Sequence, residues 1–194
     1  MKKFIPFLAV LLFMNGCSIL SELTALTKCE YKFHSAQDPV IAGIDMSSVQ
    51  TYSDLTFMDG QRVVATILQK KLPFAITANV EVYNPGPVNA AVNYIDWIAF
   101  IDDVQISSGR IERRIEIAPN GGTSIVPIRI ETDLFEYLKG DNPRTMLNFG
   151  LNLIDAGGQP TRLSMKIRPS VYIGGRLIPS PEYFTISKEF SSGD

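Results

Sequence analysis

Alternation governs the middle of the chain. Between Leu72 and Asp133, apolar residues recur at every second position in four successive runs. That period puts alternate side chains on opposite faces of a β-strand. In the first run Phe74, Ile76, Ala78, Val80 and Val82 alternate with Ala75, Thr77, Asn79, Glu81 and Tyr83. Asn84-Pro85-Gly86 ends it with turn residues: Asn bonds its own backbone, Pro presets φ and Gly accepts a positive φ. The second run, Val88 to Ile101, has Ile95, Trp97, Ala99 and Ile101 on one face and Tyr94, Ile98 and Phe100 with Asp96 on the other. Apolar residues on both faces predict a cover on each side. Asp102-Asp103 is expected to turn the chain into Val104 to Ser107, Gly109 to break that strand, and Ile111, Ile115 and Ile117 to resume the alternation. Pro119-Asn120-Gly121-Gly122 is a further turn signal. Val126, Ile128 and Ile130 form the returning inner face, and Pro127 on the outer side marks an edge strand or a bulge.

The flanks carry weaker versions of the same pattern. Tyr31 and Phe33 alternate with Glu30 and Lys32 in a first strand, and Val40 to Met46 is expected to form a second. Ser47 to Phe57 is polar and turn-like. Asp59 is expected to cap a helix from Gly60 to about Lys71, with Val63, Val64, Ile67 and Leu68 on one side and Arg62, Thr66, Gln69 and Lys70 on the other. This helix is the natural cover for one side of the strands that follow. Asp133 with Glu136 resembles a capping pair for a short helix over Leu134 to Lys139. Asn142-Pro143 is expected to start a second turn, and Leu147, Phe149, Leu151 and Leu153 then alternate as a strand. Gly157-Gly158 predicts a turn; Leu163, Met165 and Ile167 predict a strand ending before Pro169. Val171-Tyr172-Ile173 and Tyr183 to Ile186 complete the series. Eight or nine strands with few, peripheral helices predict a β-sandwich.

Size and composition fit that expectation. The chain has 194 residues, 45% hydrophobic and 20% charged, which suits one globular domain that buries about 70% of its unfolded surface. The formal charge is −2. Without residues 1–16, which hold Lys2 and Lys3, 16 basic residues face 20 acidic ones, a balance of −4. No basic footprint for nucleic acid is present. Arg110, Arg113 and Arg114 cluster, but Glu112 and Glu116 lie among them, the composition of a solvated strand face.

The N-terminus has its own logic. Met1-Lys2-Lys3 is a positive n-region, and Phe4 to Met14 is an apolar stretch shorter than the ~20 residues a spanning helix needs. This is the arrangement of a secretory signal. Met14-Asn15-Gly16-Cys17 resembles the lipobox of bacterial lipoproteins, in which the cysteine is acylated and becomes the mature N-terminus. Gly16-Cys17 matches that pattern; Met14 and Asn15 depart from its commonest residues. The resemblance implies lipidation at Cys17, a membrane as partner and an address in the bacterial cell envelope at the outer membrane; the alternative is an ordinary cleaved signal. The expected organisation is a lipoprotein signal peptide over 1–16, a tether over 17–28, a single sandwich domain over 29–190 and a tail over 191–194. The tether carries a weak helical stripe, Ile19, Leu20, Leu23 and Leu26, and a plain linker is the favoured form.

Candidate chemistry is sparse. With Cys17 acylated, Cys29 is the remaining thiol, and one cysteine forms neither an internal disulfide nor a metal site. It is expected as a small buried hydrophobe. His34, the one histidine, would face the opposite side of a strand from Cys29. Asp102 and Asp103 point apart as strand neighbours and suit a hairpin turn better than a Ca²⁺ contact. No catalytic, cofactor or metal residue is assigned. A glycosidase-type carboxylate pair needs no local motif and stays as the enzyme alternative.

In order along the chain, Val80 to Tyr83 with Asn84-Pro85, the run ending in Ile101-Asp102-Asp103, Gly109, Ile117-Ala118-Pro119 with its Gly-Gly, Val126-Pro127-Ile128 and Thr132-Asp133-Leu134 resemble the late embryogenesis abundant type 2 domain, also called the water stress and hypersensitive response domain. The resemblance covers residues 72–135 well and the flanks loosely. It implies an immunoglobulin- or fibronectin type III-like β-sandwich with one or two short flanking helices, often on a bacterial lipoprotein. It implies no catalytic activity. The functional expectation is a non-enzymatic, membrane-anchored lipoprotein whose domain binds or protects another molecule. The alternative is a carrier of a lipid or other apolar ligand, motivated by the two apolar faces around Trp97, Ile98 and Phe100.

Overall fold

Two antiparallel sheets pack face to face. A computed structural model describes residues 24–49, 52–138, 143–152 and 159–191. Its strands are β1 (Glu30–Ile41), β2 (Ile44–Asp45), β3 (Pro73–Asn84), β4 (Ala90–Ile101), β5 (Val104–Ile117), β6 (Gly122–Asp133), β7 (Thr161–Ile173), β8 (Arg176–Pro179) and β9 (Phe184–Phe190). One sheet has the order β2-β1-β3-β6; the other has β5-β4-β7-β8, with β9 also paired to β7. The helices are α1 (Phe57–Leu68), α2 (Phe135–Leu138) and α3 (Pro143–Asn152). The fold is a mostly β sandwich, as the alternation predicts.

The central alternation maps onto the core without exception in β3: Phe74, Ile76, Ala78, Val80 and Val82 are all buried. Across from them lie Ile95, Trp97, Ala99 and Ile101 of β4 and Leu163, Met165 and Ile167 of β7, in one continuous cluster. Proline explains the edge position of β6. Pro127 cannot donate to a ladder, and β6 pairs with β3 alone among the strands. At that margin side chains join the two sheets: Ser107 Oγ donates to Glu131 O at 3.0 Å, and Thr132 Oγ1 donates to Ile106 O at 2.7 Å. The opposite margin is joined by aromatic contacts, with the Tyr31 and Phe184 ring centroids 4.3 Å apart.

The turn after β3 is also a joint. Asn84 is fully buried, and its Oδ1 accepts from Gly86 N at 3.1 Å. Its Nδ2 donates to Val88 O at 2.9 Å and Ile117 O at 3.2 Å, tying β3 to the end of β5. The neighbouring turn at Asn120 and Gly121 uses positive φ values of 57° and 92°, conformations that asparagine and glycine tolerate.

Several expectations are corrected. Val40 to Met46 is not a separate strand: Val40 and Ile41 finish β1, and a turn at Ala42 and Gly43 leads to β2. Helix α1 starts earlier than expected, at Phe57. Thr56 is its N-cap and Asp59 the third residue of a reciprocal capping box, the arrangement in which each side chain satisfies the other's backbone donor. Gly109 does not break β5. It lies under the Trp97 indole, where a Cβ would come within 2.6 Å of Cζ2, so the missing side chain makes room for the ring. Pro169 does not end β7, which continues through it to Ile173.

The strand expected at Leu147 to Leu153 is a helix up to Asn152; Leu153, Gly157 and Gly158 lie outside the described residues. Asn148 and Asn152 decide the matter. Both donate from Nδ2 to Thr161 Oγ1, at 2.8 and 2.9 Å, and both to Gln159 O. Four residues apart on a strand they would be about 13 Å apart, too far to share one hydroxyl; on a helix they are adjacent. Phe149 fills the core between Phe74 and Phe190, at centroid distances of 5.5 and 6.0 Å. Residues 24–28, favoured as linker, are helical, and Ala25 and Leu26 are buried in the core. The packed domain therefore begins ahead of Cys29.

Candidate functional site

Cys17, the expected lipidation site, lies outside the described residues. The other residues singled out by chemistry fall in separate places. Cys29 is buried just ahead of β1, its Sγ 3.4 Å from Ala25 O. Burial pushes its thiol up to about 11, so it is a protonated, unreactive thiol at neutral pH. Burial likewise raises the neighbouring Tyr31 phenol, with Cys29 adding to the effect. His34 lies on the outer face of β1, exposed, with Nδ1 3.5 Å from Glu81 Oε2. The structure does not bring it to Cys29.

Asp102 and Asp103 form the β4–β5 turn with φ values of 42° and 69°. Both carboxylates are engaged by one residue of β7. Asp102 Oδ1 accepts from Arg162 N at 2.8 Å, and Asp103 takes the Arg162 guanidinium through Oδ1 and Oδ2 at 3.1 and 2.9 Å. Among the described residues no group of three His, Cys, Asp or Glu side chains gathers as a metal site.

A coherent polar and aromatic surface does form on the outer face of the β5-β4-β7-β8 sheet. Register creates it. Asp96 of β4 stands opposite Arg110 of β5 and Arg168 of β7, and the period of two turns all three outward. Arg110 Nε donates to Asp96 Oδ1 at 2.6 Å, and Arg168 Nη2 lies 3.6 Å from Asp96 Oδ2. The bond to Asp96 raises the Arg110 guanidinium further. Each arginine also lies near an aromatic ring: Arg110 is 5.7 Å from the Tyr94 centroid and Arg168 is 4.8 Å from that of Tyr183. The Tyr94 and Tyr172 hydroxyls are 3.2 Å apart, which raises the Tyr94 phenol. Among the described residues, Arg168 Nε is buried without a hydrogen-bond partner. Tyr172 and Tyr183 remain exposed. Stacking faces and guanidinium donors on a rigid sheet suit the binding of a polar or anionic group.

Sequence reasoning missed this surface. Asp96 and Tyr94 were on the correct face, but Arg168, Tyr172 and Tyr183 belong to segments more than 70 positions away in the chain. Their one signal was the outward polar period in Arg162, Ser164, Lys166 and Arg168, which becomes a site only once register is known. Among the described residues no helix covers the second apolar face of β4. Ile98 and Phe100 are half-buried on the outer side, and Lys166 Nζ stands 5.3 Å over the Phe100 ring, as cationic stems commonly shield apolar surface.

Helix α1 is the second exposed feature. It buries no residue, and Phe57, Val64 and Leu68 are 80%, 57% and 78% exposed. The helix expected to cover the sandwich instead turns Val64, Ile67 and Leu68 outward with Phe57, while Val63, expected on the same side, packs toward the protein. Among the described residues no helix is long and apolar enough to cross a membrane.

No protein-family model and no curated protein matches the chain. Among solved structures, a putative late embryogenesis abundant protein, At2g46140.1, aligns over 99% of this chain and 88% of its own, with 13% identity and a TM-score of 0.40. AT1g01470 from Arabidopsis thaliana aligns over 63% of this chain and 72% of its own, at 13% identity and a TM-score of 0.41. A protein from Archaeoglobus fulgidus covers 63% and 87% of the two chains, at 16% identity and a TM-score of 0.38. At these identities and scores the likenesses assign no function; the fold class rests on the two sheets themselves.

Proposed function

We propose that this protein is a lipid-anchored, non-enzymatic envelope lipoprotein whose late embryogenesis abundant type 2-like sandwich binds or protects a partner. The arginine–tyrosine surface around Asp96 carries the binding part of this reading. It is a set of recognition groups on one sheet face, with the central carboxylate, Asp96, already engaged by two guanidinium groups. Cys29 is buried and protonated, and the outward His34, paired with Glu81, lies on another face from it; this separation of thiol and imidazole supports a non-catalytic role. The anchor rests on the sequence: the basic n-region, the short apolar stretch and Gly16-Cys17 in register. Each buried acyl methylene contributes about 0.8 kcal/mol, and stable anchoring needs more than one chain. Cys17→Ala is expected to move the protein from the membrane fraction to the soluble fraction of fractionated cells. Unchanged membrane association would rule out the lipid anchor.

A further inference from the structure

We infer that α1 is an interfacial helix that lays its apolar stripe into an anionic bilayer surface. This rests on the anchored reading above and adds a second point of membrane contact. The helix has two unlike sides. Asp59, Val63 and Thr66 are its half-buried residues, spaced so that they share one stripe toward the protein. Val63 packs against the small cluster of Ile44, Met46 and Val49 beside the end of β1. Phe57, Val64 and Leu68 fall on the opposite side by the same 3.6-residue period, flanked by the exposed Met58 and Ile67. A surface helix that folded only to cover its own core would have the reverse orientation.

Charge indicates what meets that stripe. From Phe57 to Lys71 the cations are Arg62, Lys70 and Lys71, against the single acid Asp59. The Asp59 carboxylate is already bound to Thr56, which holds it below the usual range. A chain of net charge −2 thus concentrates positive charge where its apolar residues are bare. Phenylalanine and leucine on one side with lysine and arginine at the other side and end is the composition that lies in a headgroup layer and is drawn to anionic lipid.

Area argues against a second copy of the chain. Twelve residues make a helix about 18 Å long and about 10 Å wide, a footprint of roughly 200 Å², against the ~800 Å² per partner of a stable dimer. Reach sets the geometry. The helical residues 24–28 lead into the start of β1, where Glu30 pairs with Tyr83; α1 packs near its other end, where Ile41 pairs with Phe74. Those ends are about 36 Å apart, and seven residues from Cys17 to Thr24 span at most about 25 Å. Anchor and helix can meet one bilayer only if the long axis of the sandwich lies within about 45° of the membrane plane.

The test uses the full chain in vesicles of phosphatidylcholine and phosphatidylglycerol, with one nitroxide at Val64→Cys, Leu68→Cys or Arg62→Cys. Buried Cys29 is shielded from the label. The expected result is nickel-chelate collision about tenfold lower at positions 64 and 68 than at 62, with oxygen collision raised. Lys70→Gln and Lys71→Gln should each weaken the insertion about fivefold. Vesicle-bound protein with all three labels in water would overturn the helix docking and leave the anchor standing. Protein absent from the vesicles would overturn both. Spin–spin broadening between labels would show a second copy on the stripe and overturn the inference.

Discussion

Strand β3 and helix α1 are neighbours in the chain, and both divide their apolar from their polar residues. In β3 the apolar set is buried to within 2% exposure at every position. In α1 the apolar set is the most exposed hydrophobic surface among the described residues, with Phe57 and Leu68 near 80%. Periodicity says which side chains share a face and nothing about what lies against that face. For β3 the opposing sheet supplies the cover. For α1 the protein supplies a contact only to the mixed stripe of Asp59, Val63 and Thr66.

The sharpest way to press this difference is to truncate one apolar side chain on each side of it. Phe74→Ala removes a fully packed side chain that meets Phe149 edge to face. It is expected to lower unfolding free energy by about 4 kcal/mol, read from urea denaturation. A loss under 1 kcal/mol would mean the two sheets and α3 are not packed as described.

A smaller effect tests the ionisation of the core. The folded Cys29 thiol is held near 11 against an ordinary value of 9.0. The folded state therefore prefers the protonated form more than the unfolded state does. Stability from this source is fully present below pH 9 and is lost as pH rises from about 9 toward 11. Thermal melts are expected to fall through that window, with the fall reduced in Cys29→Ala. Fast labelling of Cys29 by a thiol reagent at pH 8 would contradict its burial.

The smallest effect belongs to the helix. Leu68→Ser, which removes an apolar side chain of similar size to those in the core, is expected to change stability by less than about 0.5 kcal/mol in the absence of lipid. A loss comparable to that of Phe74→Ala would mean that part of this protein covers the stripe, and the contrast between the two elements would disappear.

Much of the sandwich was legible because its strands obey one rule over long stretches. The inner faces of β3, β4 and β6 follow from the period of two, and Pro127 marks the edge. Legibility failed where two structures share a local pattern. Alternation over Leu147 to Leu153 fits a strand, but Asn148 and Asn152 are four apart and find common partners in Gln159 and Thr161 only on a helix. Pro169 and Gly109 punctuate strands in general, yet here β7 and β5 run through them because Trp97 needs the space above Gly109 and β7 is held by its neighbours on both sides of Pro169.

The sequence by itself determined the strand faces and the turn at Asn84-Pro85-Gly86, since each depends on residues within a few positions of one another. It also contains the Gly16-Cys17 motif on which the proposed anchor rests. Only the tertiary structure decided the rest. Register set Arg110 and Arg168 on either side of Asp96, and packing sent the apolar side of α1 outward. Both outcomes depend on contacts between segments distant in the chain, whose energies no local pattern encodes.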